Sequence, residues 1–75
     1  MRRAGTAVTS AQGMAIVLTE DDDPPAIGAP LVDESLDRVG RVVDVIGPQA
    51  QPYLVVNPEK HRSPASFLGK PFYVR

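Results

Sequence analysis

Proline and glycine set the limits on this chain. Eight prolines and six glycines among 75 residues divide it into windows about a dozen residues long or shorter, and both residue types weaken or end helices. The apolar runs inside those windows are four to eight residues long, rich in β-branched side chains and bounded by turn residues. That is the pattern of strands, not of helices.

Six strands follow from it. "GTAVTS" (5–10) gives the first, "AQG" a turn, and "MAIVLT" (14–19) the second, with Met14, Ile16 and Leu18 on one face. "EDDDPP" (20–25) reads as an acidic, flexible loop whose two prolines forbid strand pairing. "AIGAPLVD" supplies a short extended piece and "ESLDRVG" a turn, with at most one helical turn. "RVGRVVDVI" (38–46) is the longest strand, "YLVVN" (53–57) returns after a Gly-Pro loop, and "FLGKPFYVR" supplies the last. "IGAPLVDE" and "LGKPFYVR" share an apolar-Gly-x-Pro-apolar-apolar frame, as expected of corners where a strand enters a curved sheet. Six short strands predict an all-β fold, a small closed six-stranded β-barrel, because closure removes edges that so short a sheet could not protect.

Length allows one domain, residues 1–75. A chain of this size buries only about 60% of the surface its unfolded form exposes, so its own core is marginal. There is no cysteine to form disulfides or thiolate metal sites, and one histidine cannot make a zinc site alone. A bound partner is the remaining external source of stability. No apolar run approaches the roughly 20 residues that span a bilayer, and "MRRAGTAVTSAQG" lacks the apolar stretch of a signal peptide, so the chain reads as soluble and intracellular. Net charge is −1, and neither side of Pro24 carries a strong basic excess. Direct, independent nucleic-acid binding is not expected.

The longest strand raises a packing question. Simple alternation puts Val39, Arg41, Val43 and Val45 on one face and Gly40, Val42, Asp44 and Ile46 on the other. One face fills the barrel, and the other leaves apolar side chains outward, a patch that isolated domains seldom tolerate. The expected partner-binding surface is Val42 and Ile46 with the loop residues Gly47, Pro48, Pro52 and Tyr53. Pro48 and Pro52 pre-fix the backbone, so little entropy is lost on docking. Tyr53 offers a rigid apolar body with a polar tip, a common interface anchor.

The other polar segments read as surface. "VDESLD" (32–37) holds paired acids, but no pocket pushes their pKa values apart as catalysis requires, so it reads as a solvated turn. "EDDD" lacks the spaced ligands and glycine of a calcium loop. His61 has no positioned nucleophile beside it, and Ser63 and Ser66 sit in no elbow motif. Lys60, His61 and Arg62 form a basic trio that could touch RNA phosphate inside a larger particle. No cofactor, metal or small-molecule substrate is implied, and the chain does not read as an enzyme.

The stretches "IGAPLVDESLDRVGRVVDVIGPQAQPYLVV" and "FLGKPFYVR", with the opening "MRRAGTAVTSAQGMAIV", resemble the Gar-one family of archaeal H/ACA ribonucleoproteins. The order Gly-x-Pro, Val-Gly-x-Val-x-Asp-x-x-Gly-Pro, Pro-Tyr and Gly-Lys-x-x-Tyr-Val is specific in combination, and the likeness covers nearly the whole chain apart from the acidic loop. The resemblance implies a barrel like the second domain of elongation factors. It further implies a non-catalytic, cytoplasmic subunit docked on the dyskerin-type pseudouridine synthase of a guide-RNA particle, aiding substrate RNA loading and release through a mobile synthase loop. Contact with the guide RNA would be indirect, and no membrane is involved. "VGRVVDVIG" also resembles the Gly-x-Val-x-Asp strand of PRC-barrel and ribosome-maturation adaptors, which is the alternative reading.

Overall fold

A computed structural model of the protein describes residues 2–19, 24–48, 50–60 and 62–74. Most of the acidic loop expected at 20–25, and His61, lie outside the described residues. The elements are β1 (Arg2–Ala11), β2 (Met14–Leu18), β3 (Pro30–Val32), β4 (Arg38–Ile46), β5 (Tyr53–Pro58), a short 3₁₀ turn (Pro64–Phe67) and β6 (Pro71–Val74). They close in the order β1-β2-β5-β4-β3-β6, with every neighbouring pair antiparallel. The expected six-stranded barrel is the observed fold.

The interior is filled from all sides by Ala15 and Val17 of β2, Leu31 of β3, Leu54 and Val56 of β5, and Phe72 of β6, each fully buried. Phe67, on the 3₁₀ turn, closes one end and meets Phe72 edge to face at 5.2 Å. On β2 the inward residues are thus Ala15 and Val17, while Met14, Ile16 and Leu18 are half-buried on the other face.

Alternation fails on β4, and a register shift explains why. Val42 pairs with Val56 but Asp44 pairs with Val55, so Val43 is an extra residue that turns the strand over. Val42 is consequently core, 1% exposed, and does not belong to the outer face expected for it. A second shift leaves Val39 unmatched against β3, so Val39 and Gly40 are both buried. Beyond Val43 the phase is inverted: Val45 packs toward the core, and Asp44 and Ile46 are exposed.

The same irregularities recur on β1, where Ala4 and Val8 are the unmatched residues. They belong to an internal twofold repeat, in which β1, β2 and β3 correspond to β4, β5 and β6. Each third strand pairs with the first strand of the other half, β3 with β4 and β6 with β1. Single hydrogen bonds obey the correspondence. The Gly28 amide donates to the Val42 carbonyl (2.7 Å) and the Val42 amide to Ala29 (3.0 Å). In the other half, Gly69 donates to Ala7 (2.8 Å) and Ala7 to Lys70 (3.1 Å). The two Gly-x-Pro frames seen in the sequence are therefore structural mates, with Pro30 and Pro71 each opening a third strand. Gly5 and Gly40 are mates too, each following the first bulge of its strand. A Cβ at either would overlap a facing backbone carbonyl, that of Leu18 or of Asn57.

Candidate functional site

β3 is only three residues long, and it runs out before β4 does. The pair of bonds between Val42 and the Gly28–Ala29 segment ends the contacts on that side. From Asp44 to Ile46, β4 keeps only its β5 partners Val55, Leu54 and Tyr53 among the described residues. A free strand edge invites another strand. Here Asp44 folds back over it, its Oδ1 accepting the Val45 amide at 2.8 Å. The edge is blunted, so a partner meets the side chains at this corner more readily than the backbone.

Those side chains are apolar. Ile46 is 44% exposed, Val43 41% and Ile27 65%. The Gly28–Val42 bond sets the Ile27 and Val43 backbones on adjacent segments. Past Ile46 the chain turns through Gly47 and Pro48, both exposed, and returns through Pro52 and Tyr53, both half-buried. The turn is held by two backbone bonds, from Gln51 to the Pro48 carbonyl (3.1 Å) and from Thr19 to the Pro52 carbonyl (3.3 Å). The Tyr53 ring lies close over Gly47, whose Cβ, if it had one, would stand 3.0 Å from the ring. Gly47 also has φ +91°, a backbone region that favours glycine.

Of the residues expected at a partner surface, the structure gathers Ile46, Gly47, Pro48, Pro52 and Tyr53 at one corner and withdraws Val42 into the core. It adds Val43 and Ile27. The bulge that exposes Val43 has no simple sequence signal. Ile27 opens the "IGAP" frame, and its exposure follows once that frame is recognised as a corner. The internal twofold gives a second corner at Val8 and Leu68, each 47% exposed. Among the described residues, every exposed large hydrophobic except Leu36 falls at these two corners.

Of the basic trio, Lys60 and Arg62 are described and stand in different surroundings. Lys60 is exposed, while Arg62 is half-buried, its Nη2 2.9 Å from Oδ2 of Asp33. The Arg62 guanidinium also lies 5.6 Å from the centre of the Phe67 ring, and its amide donates to the Glu59 carbonyl at 2.9 Å. Arg62 therefore ties the 59–67 segment to the β3–β4 turn. Asp33 organises that turn, its Oδ1 accepting the amides of Ser35 (2.9 Å) and Asp37 (3.1 Å). Burial alone would raise the Asp33 carboxyl, but the Arg62 guanidinium and those two amides outweigh it and hold the group below its ordinary value. "VDESLD" is thus an ion-paired structural turn, more than the solvated loop expected for it.

No group of three His, Asp or Glu side chains that could hold a metal occurs among the described residues. Nor is any described helix long and apolar enough to cross a membrane.

Fold and site define a class: a closed, six-stranded antiparallel barrel whose exposed large apolar side chains, Leu36 apart and among the described residues, gather at two twofold-related corners. No protein-family model matches the chain. A protein of Methanothermobacter thermautotrophicus, described as uncharacterized, is 30% identical to it over 61 residues. That alignment takes in 77% of this chain and 66% of the relative, just under two thirds of its length.

Proposed function

We propose that the chain is a non-catalytic protein-docking subunit. On the motif resemblance, its partner is a dyskerin-type pseudouridine synthase within an H/ACA guide-RNA particle. The observation that carries the docking reading is the corner itself, with Ile27, Val43 and Ile46 exposed beside a turn stiffened by Pro48 and Pro52. Apolar side chains concentrated on a pre-formed surface lose water on association and little entropy. Tyr53, half-buried against Gly47, is the anchor, and its docked face is fixed before the partner arrives.

The mechanism is mechanical. A rigid barrel that binds two positions of a mobile synthase loop with different affinity shifts the population between them. Loading and release of substrate RNA are then altered, while the chemical step is not. A pull-down of the synthase in the absence of RNA tests the first part, and this chain should be retained. Comparing turnover regimes tests the second. Addition of the chain should raise multiple-turnover rates and leave single-turnover rates unchanged, and equal stimulation of both would overturn the mechanism.

A further inference from the structure

At the end of β4 opposite the apolar corner, Arg38, Arg41 and Lys60 line one open hollow of about 360 Å³, together with Asn57, Pro58 and Glu59. Arg41 pairs directly with Asn57 across the β4–β5 ladder, which sets their side chains on one face. Glu59 is the hollow's acid and stands 3.9 Å from Nε of Arg38, the Arg38 side chain 54% exposed and that of Glu59 37%, so it offsets part of the charge of Arg38 and leaves Arg41 and Lys60 uncompensated. Arg41 and Lys60 make no ion pair among the described residues. Three cations thus face one carboxylate, in a chain whose net charge is −1. The adjoining hollow, lined by Asp37, Arg38, Glu59 and Arg62, balances two acids against two cations and has no such excess.

We infer that the hollow of Arg38, Arg41 and Lys60 is a weak binding site for phosphate oxyanions, with the backbone of a single-stranded nucleic acid as its ligand. Two guanidiniums present forked N–H donors that match a phosphate's oxygens, and the Asn57 amide adds a neutral donor. Among the described residues no aromatic side chain lines the hollow, so its recognition rests on the phosphates and carries no sequence preference. Glu59 limits the affinity by holding Arg38. The site does not rest on the docking reading, because Ile46 lies about 17 Å further along the extended strand.

The test is the anisotropy of a labelled, mixed-sequence single-stranded RNA oligomer titrated with the full chain. Three neutralised phosphates give a single-strand salt slope near −2, so affinity should fall about 20-fold between 50 and 200 mM salt. Arg41→Ala or Lys60→Ala should reduce that fall to about 7-fold, the value for two phosphates. Glu59→Gln should tighten binding several-fold. Inorganic phosphate at millimolar concentration should displace the oligomer if one oxyanion pocket dominates, and its failure to compete together with a full salt slope would place the ligand along an extended backbone. Both of those outcomes support the site. Absence of binding, insensitivity to Arg41→Ala and Lys60→Ala, or equal binding of polyglutamate would overturn it. The titration contains no synthase, so failure here and failure of the docking reading are distinguishable.

Discussion

Replacing Gly40 by alanine should cost the barrel a large part of its stability. A Cβ at this position overlaps the Asn57 carbonyl, with the Cα of Pro58 2.9 Å away, and both obstacles are backbone. No rotamer change relieves such a clash, so β4 and β5 must separate locally. The bonds at risk are the ladder around Asn57 and the Glu59 amide to the Val39 carbonyl (3.0 Å). Two or three such bonds at about 1 kcal/mol each give a loss near 3 kcal/mol. The reduced freedom of the unfolded chain returns less than about 1 kcal/mol. The net, about 2 kcal/mol, is a sizeable share of the roughly 4–11 kcal/mol available to a domain of this length. It corresponds to a fall in Tm of about 10 °C. Gly5→Ala should cost at least as much, since its Cβ meets the Leu18 carbonyl in the same way and its φ of +151° adds backbone strain. Gly28→Ala is the control: φ is +95° but nothing lies within 4 Å of the added atom, so only the left-handed strain of about 1 kcal/mol remains. Urea unfolding followed by circular dichroism measures all three. If Gly40→Ala lies within about 0.5 kcal/mol of wild type, or Gly28→Ala is the worse variant, the close-approach reasoning fails.

Phe72→Ala should lower stability by about 3–5 kcal/mol by emptying the centre of the core, a large part of the total, read as a much lower urea midpoint in the same denaturation assay. Asp33→Ala removes the Arg62 pair and two amide contacts, and should cost about 2 kcal/mol. Because the folded Asp33 carboxyl is held below its ordinary value, its contribution is complete above the unfolded value near 3.9 and is lost as pH falls through the lower folded value. Wild type and Asp33→Ala should therefore converge in stability as unfolding is measured at progressively more acid pH. Tyr53→Ala should fold normally and weaken synthase binding by about 2 kcal/mol, roughly 30-fold in Kd, by calorimetric titration.

How far the sequence reaches is clearest on β4. Its bounds, Arg38–Ile46, follow from the turn before it and from Gly47-Pro48 after it. Which way Val42 points does not follow, because one bulged residue inverts every later side chain and nothing in "RVVDV" marks it. The 3₁₀ turn was equally hidden. Phe67 reads as the start of the last strand, yet that strand begins at Pro71, and Phe67 serves instead as a buried plug. Local propensity says strand, and the tertiary demand to cover the barrel's end prevails. The Gly-x-Pro echo carried more than it promised. Taken from the sequence as two corners, it marks the mates of an internal repeat in which Ala7 and Val42 make the same pair of bonds. Ile27 is legible from that corner frame, whereas Val43 is not, since the bulge that exposes it is visible only in the pairing. Arg62 looked like a free cation because its partner, Asp33, lies 29 positions away in the chain.

The docking corner is the centre of the account, and calorimetric titration of RNA-free synthase with wild-type chain and with Ile27→Asp/Ile46→Asp tests it most directly. Both residues are exposed, so the variant should keep its circular dichroism spectrum and its unfolding midpoint. Tight binding by the wild type and a loss of at least 100-fold in the variant is the expected result. Wild-type affinity in a folded double variant, or no heat of binding from either protein, would contradict it.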